Sequence, residues 1–310
     1  MFCDKEVVRK IWANDGIGGD KMKIQKGKKN GVFVLLVFLF LIIFTLTLIL
    51  LLTWGVSTSL KSVAEFRKNK LGFPKEFAWE NYSTVFNNFS APVGEQFVYI
   101  DTMILNSILY CVGTSIIAMV TPFICAYLTV KFKYKFGKLI YGIVLVTMML
   151  PIIGSEPSTF RVLNVFGLTD SIFAMYILKM NFLGIYFLLF CATVKGIPQS
   201  FSEAAYLDGA SEMSILIRII FPMAKNTILV IFLLGVIATW NDYQSVILYF
   251  PSFPTIAYGV FDLSRSTDSD LSFVPMQMAG MFLVMVPTLI VFVIFHDKMM
   301  GNLSMGGLKE

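Results

Sequence analysis

Residues 198–222, PQSFSEAAYLDGASEMSILIRIIFP, form a polar elbow between two long apolar stretches. Ser200 and Glu203 stand three apart, the spacing of a capping box, in which hydroxyl and carboxylate each satisfy one orphan N–H. That spacing predicts a short helix through Glu203, Ala204, Ala205, Tyr206 and Leu207. Asp208-Gly209 then signals a stop, because glycine takes the left-handed conformation that other residues avoid. Ser211 is placed to cap a second helix carrying Met213, Leu216, Ile217 and Ile220 on one side, ahead of Pro222. A helix–Gly–helix unit with small alanines at its bend is a compact knob that another protein can grip closely.

On either side of the elbow the chain is strongly apolar. Of its 310 residues 56% are hydrophobic and 15% charged, and the mean hydropathy is +0.75. Soluble domains carry roughly 25% charged residues. The composition therefore specifies an all-α, polytopic membrane protein in contact with lipid. The net charge is +5, but in such a protein the placement of basic residues says more than their sum. Cys3, Cys111, Cys125 and Cys191 are scattered, without the spacing of a disulfide framework or zinc site, and no metal site is expected.

Six spans are expected. Residues 1–31 form a basic tail, with Lys21, Lys23, Lys26, Lys28 and Lys29 just before the first apolar run; a second start at Met22 gives the compact lead-in MKIQKGKKNG. Residues 32–54 exceed the roughly 20 that a spanning helix needs. Residues 55–100 are a long polar connection, placed outside. Residues 101–297 hold five further spans: 101–130, 139–153, 169–194, 227–250 and 275–295. Residues 298–310 are a short tail.

The spans leave 251–274 as a second external loop. They also put the basic tail, the Lys131–Lys138 stretch and the elbow on one side, the cytoplasmic one by the positive-inside rule. That rule, with aromatic belt residues, accounts for KFKYKFGK better than nucleic-acid binding does. Pro122 is expected to kink the second span or interrupt its hydrogen bonding. In the fourth span, Lys179 and Asn181 interrupt the run; one tilted helix facing an aqueous cavity is preferred to two separate pieces.

Ser107, Cys111, Thr114, Ala118 and Thr121 recur along one face of the second span. Such a face serves either as the wall of a solute path or as a helix-packing surface. Asn181, Asn241 and Tyr243 are candidates for lining a path.

Much of the discrimination comes from what is missing. No G-x-x-x-x-G-K-[ST] occurs, so the chain has no P-loop with which to hydrolyse ATP. No carboxylate falls in the middle of a span, as a proton- or sodium-coupled carrier usually requires. His296, the single histidine, sits at a membrane boundary, and no set of groups supports an intramembrane enzyme. A conduit with a docking knob and no motor of its own needs an energy source on another subunit.

The sequence here resembles a known family. Glu203-Ala204-Ala205, Gly209, Ile219 and Pro222, with Asp208-Gly209-Ala210, match the EAA motif of permease subunits of bacterial ABC importers. Asn106-Ser107, Glu80-Asn81-Tyr82, Asn241-Asp242 and the glycine-bearing tail are similar to the maltose-type, MalG-like sugar permeases. Phe221 and Asn226 depart from the usual pattern at positions outside the bend. The resemblance implies an ATP-driven importer with a second, MalF-like permease subunit and two cytoplasmic ATPases. It also implies an external solute-binding protein that delivers a sugar, and no cofactor on this chain. Glu203, Ala204, Ala205, Asp208 and Gly209 would be the ATPase-docking residues of a coupling helix. The 251–274 loop would reach toward the binding protein, and Gly301–Gly307 toward the ATPase pair. A permease for a non-sugar solute, or a secondary carrier or channel, are the alternatives.

Overall fold

The computed structural model describes residues 31–132, 137–150, 154–265 and 271–303. The basic tail with Met22, Lys133 and Lys135, Pro151, and residues 304–310 lie outside the described residues. The chain divides into two units, 1–53 and 54–310.

The first unit is the greater part of one helix, α1 (Gly31–Ser59). No charged residue interrupts it, and every Val, Leu, Ile and Phe from Phe33 to Leu52 is exposed. A helix that is apolar all round belongs in lipid.

In the second unit, the long polar connection is a packed knot. It contains α2 (Val63–Lys68), α3 (Glu80–Asn88) and a hairpin of β1 (Ser90–Val93) with β2 (Gln96–Tyr99). The expected all-α class is thus corrected by two short strands. Val93 pairs with Gln96, leaving the two-residue turn Gly94-Glu95, and Gly94 alone carries the positive φ (61°). Such a turn matches the twist of the flanking strands. Buried Asn81 closes the knot by donating to the carbonyls of Ser59 (2.7 Å) and Lys61 (2.8 Å). Tyr82 meets the Ser59 hydroxyl at 2.7 Å.

The central element is α4 (Ile100–Lys131), which runs on through Pro122 as one helix. It is followed by α5 (Gly137–Met149), α6 (Glu156–Val165), α7 (Ile172–Leu178), α8 (Ile185–Lys195) and α9 (Ser200–Leu207). Then come α10 (Glu212–Ile215), a π-helical turn at Leu216–Ile220 and α11 (Phe221–Met223). The chain ends with α12 (Lys225–Trp240), α13 (Gln244–Tyr249), α14 (Ile256–Leu263) and α15 (Val274–Leu303).

By length and composition, α1, α4 and α15 are, among the described residues, long enough to cross a membrane; taken as one span, the pair 212–223 and 225–240, bent by 77°, brings the number to four. The remaining expected spans are shorter. At 1.5 Å per residue α5 is about 20 Å long, against the ~30 Å of a hydrocarbon core. The preferred single helix over 171–194 is two: α7 ends at Leu178, and α8 starts at Ile185. The 251–274 loop, expected outside, contains α14, capped by Thr255 and packed with Phe89, Met103 and Ala279.

The first three residues of the small-residue face of α4 form a packing surface, and Ala118 and Thr121 are half-buried. Ser107, Cys111 and Thr114 are buried. The Ser107 hydroxyl donates to Met103 O (2.7 Å) and accepts from Ile256 N–H (2.9 Å). The Thr114 hydroxyl bonds back to the Tyr110 carbonyl. Beside them, a β-carbon at Gly235 of α12 would stand 3.0 Å from the Ser115 hydroxyl. Glycine opposite serine lets the two helices approach closely, as membrane helices do.

Candidate functional site

The elbow starts differently from its capping-box reading. Gln199, not Ser200, occupies the N-cap position, and its side chain makes no capping bond. Backbone carbonyls take the first amides instead: Gln199 O accepts from Ser202 N (2.9 Å) and Glu203 N (3.0 Å). Ser200 therefore lies inside α9, and Glu203 is released to face outward. Among the described residues the Glu203 carboxylate has no hydrogen-bond or ion-pair partner.

The bend itself follows the sequence closely. Gly209 has φ +78°. Ala210 N donates to Ala205 O (2.9 Å) and Gly209 N to Tyr206 O (3.0 Å). That pair of bonds is the Schellman termination, which needs a left-handed residue at the position of Gly209. Ala205 and Ala210 pack together in the inner core, completing the apolar contact that accompanies this motif. Ser211 then caps α10, accepting from Ser214 N at 3.3 Å.

Beyond the cap, the expected helical face is rotated. Met213 and Ile217 are exposed, while Ile215 and Ile220 are buried, with Leu216 and Ile219 packed beside them. The π turn is the cause. It widens the turn, so Ile215 and Ile220, five apart, share the inner side with Leu216 and Ile219.

The five predicted docking residues lie on one bend, but they do not all point the same way. Glu203, Ala204, Asp208 and Gly209 are exposed, together with Leu207 at 90%; Ala205 is buried beneath them. A β-carbon at Gly209 would meet nothing within 4 Å. Its glycine is required by backbone conformation, with open space outside it.

Glu212 was not singled out from the sequence, yet it anchors the elbow. Its carboxylate accepts from Tyr127 Oη of α4 (2.9 Å) and from Tyr206 Oη of α9. Lys131 Nζ lies 4.9 Å above the Tyr206 ring. The bend is thus tied to the end of the central helix through one carboxylate.

At the opposite end of the unit, Lys179 and Asp242 form an ion pair (2.8 Å). Tyr110 Oη donates to the same Asp242 oxygen at 2.8 Å, and Ser245 N donates to the other at 2.9 Å. The polar break after α7 is thereby matched to the break between α12 and α13. Of the three path candidates, Asn241 bonds back to Ile237 O (2.9 Å), and Tyr243 stacks on Phe261 at 4.8 Å. Asn181 folds over Gly184. The structure places them at these two breaks without joining them to one another.

The family model described as "Binding-protein-dependent transport system inner membrane component" matches residues 117–304, a stretch that includes the elbow. This chain belongs to that family. As an inner membrane component it is a membrane-embedded permease subunit of an ABC importer, a transport subunit and not an enzyme.

Its relatives agree. The diacetylchitobiose uptake system permease protein NgcG of Streptomyces coelicolor is 23% identical over 256 residues, covering 82% of each chain. The melibiose/raffinose/stachyose import permease protein MelC of Bacillus subtilis is 23% identical, covering 93% of this chain and all of that one. The sn-glycerol-3-phosphate transport system permease protein UgpE of Yersinia pestis is 25% identical, covering 78% and 85%. In fold, the inner membrane component is similar to a bacterial ABC transporter involved in the import of the acidic polysaccharide alginate. That match has TM-score 0.70 and 21% identity, covering 87% of this chain and 97% of that one.

Proposed function

We propose that this permease carries a sugar or oligosaccharide, delivered by an external solute-binding protein, in partnership with a second, different permease subunit and two cytoplasmic ATPases. The observation that carries the coupling part of this reading is the elbow: a rigid, Schellman-terminated bend whose outer face is exposed and whose inner face is packed into the core. In this reading Glu203, Ala204, Asp208 and Gly209 contact the ATPase, and Ala205 supports them from below. The ATPases bind the ATP, and this chain needs no cofactor of its own.

The chain crosses the membrane six times in this proposal, with both termini and the elbow in the cytoplasm. Residues 1–31 and 298–310 are tails, 32–54 the first span, 55–100 the external knot, and 101–297 the core. Two of its crossings are interrupted at 179–184 and 241–243, where Asn181, Asn241 and Tyr243 border the path.

Transport of sugars by the relatives NgcG and MelC supports the substrate class. UgpE, named for sn-glycerol-3-phosphate, supports a second reading in which the solute is a small phosphorylated polyol. Ligand-dependent thermal shift of the neighbouring binding protein separates the two: stabilisation by an oligosaccharide supports the first, and by a glycerol phosphate alone the second. For coupling, Gly209→Asp and Glu203→Lys together should abolish ATP-dependent uptake while membrane insertion is retained. Normal uptake by the double variant defeats the docking assignment.

A further inference from the structure

A cavity of about 770 Å³ lies beside the elbow, between the end of α4, the start of α5 and the end of α8. Lys131, Lys138 and Lys195 line it, and among the described residues no carboxylate does. Among the described residues none of the three lysines has an ion-pair partner; Lys131 and Lys195 rest over the rings of Tyr206 and Tyr141.

Lysines at helix C-termini are ordinary, because they complement the helix dipole. That accounts for Lys131 and Lys195, each in the last turn of its helix. It does not account for Lys138, which sits in the first turn of α5, where no acidic residue stands. A cation there opposes the dipole unless an anion sits between them, and a helix N-terminus itself favours an anion.

A second observation is independent of charge. Ser202 of α9 lines the same cavity, is only 4% exposed, and its hydroxyl makes no hydrogen bond among the described residues. The hydroxyl of this otherwise buried residue is free to donate at the cavity wall, and a bound oxyanion would accept its proton.

We propose that this cavity binds a phosphate-bearing anion, the headgroup of an acidic membrane lipid, held by Lys131, Lys138, Lys195 and Ser202. Basic pockets between membrane helices take such headgroups. The apolar part of the lining, at Val130, Val194 and Ile197, suits the glycerol and first methylenes of a lipid. Because Ser202 belongs to α9, occupancy braces the elbow against the membrane. With the orientation proposed above, that lipid belongs to the inner leaflet; the anion site itself does not rest on that orientation.

Native mass spectrometry of the purified full chain, titrated with phosphatidylglycerol or phosphatidylcholine, tests this without ATPase or transport activity. Failure of the coupling reading therefore leaves the result interpretable. Wild type should retain phosphatidylglycerol in preference. The K131Q/K138Q/K195Q variant should lose affinity on the order of 100-fold, about fivefold for each lysine. Ser202→Ala should weaken retention several-fold, and K70Q/K75Q, outside the cavity, should not. Should the triple variant unfold, Lys138→Gln alone, at an exposed residue, gives the same test.

A parallel arm measures thermal shift with inorganic phosphate. Stabilisation of wild type but not of the triple variant, without lipid preference, supports the anion site with a soluble source. No preference in either arm, or phosphatidylglycerol retention undiminished by the substitutions, overturns the proposal.

Discussion

At the scale of the residue, two positions in the elbow carry different physics and call for different tests. Gly209 has room for a side chain but not the backbone for one. Gly209→Ala should therefore destabilise the solubilised protein by about 1 kcal/mol, the cost of a left-handed alanine. Gly209→Asn, which tolerates that conformation, should lose less, and thermal unfolding of the two variants side by side checks the order. Glu212 works through its two tyrosines. Glu212→Gln and Tyr127→Phe should each lower stability, and a double-mutant cycle should show a coupling of about 1 kcal/mol, where independent sites would add. Gly209 and Ser211 were legible in sequence because each acts on its own neighbours. Glu212 was not, since its anchoring partner Tyr127 is 85 residues away. Ser200 misled for a local reason: the preceding carbonyls took the amides it was expected to cap.

At the scale of the element, the departures occur where regular periodicity was assumed. The apolar pattern over 213–220 was read with the 3.6-residue period of an α-helix, and the π turn breaks that period. The consequence differs sharply between two nearby residues. Ile215→Asp, fully buried, should destabilise by about 3 kcal/mol or more, because it strands a carboxylate in an apolar core. Met213→Asp, on the exposed side, should be tolerated; equal losses in thermal unfolding would contradict the rotated face. The breaks at 179–184 and 241–243 were each visible as polar interruptions, but their mutual pairing was not. Lys179 and Asp242 stand 63 residues apart, and nothing in either segment names the other. Asp242→Asn should destabilise the fold by removing the partner of a half-buried lysine. The swap of Lys179→Asp with Asp242→Lys should recover part of the loss, as read by the melting temperature of the purified chain.

At the scale of the whole molecule, composition and the spacing of apolar runs were enough to specify a helical membrane protein. They were not enough to separate a continuous crossing from a broken one. A run such as 169–194 has the same average hydropathy whether or not its helix stops at Lys179. The proposed orientation can be checked directly, in a background with Cys3 and Cys125 replaced by serine. Glu95→Cys, at the hairpin tip, should react with an impermeant maleimide in intact cells. Asp208→Cys, at the bend, should react only after permeabilisation. Labelling of both from one side overturns the arrangement. The knot that precedes the core has a further bearing on how such a chain is made. Asn81 reaches only 22 and 20 residues back to Ser59 and Lys61, and closing so short a loop is rapid and costs little chain entropy. The contacts of Phe89 with α14, by contrast, wait for chain synthesised more than 160 residues later. During synthesis the knot can therefore close on the emerging chain as a self-contained cap, fixing the end of the first helix before the later helices have been translated.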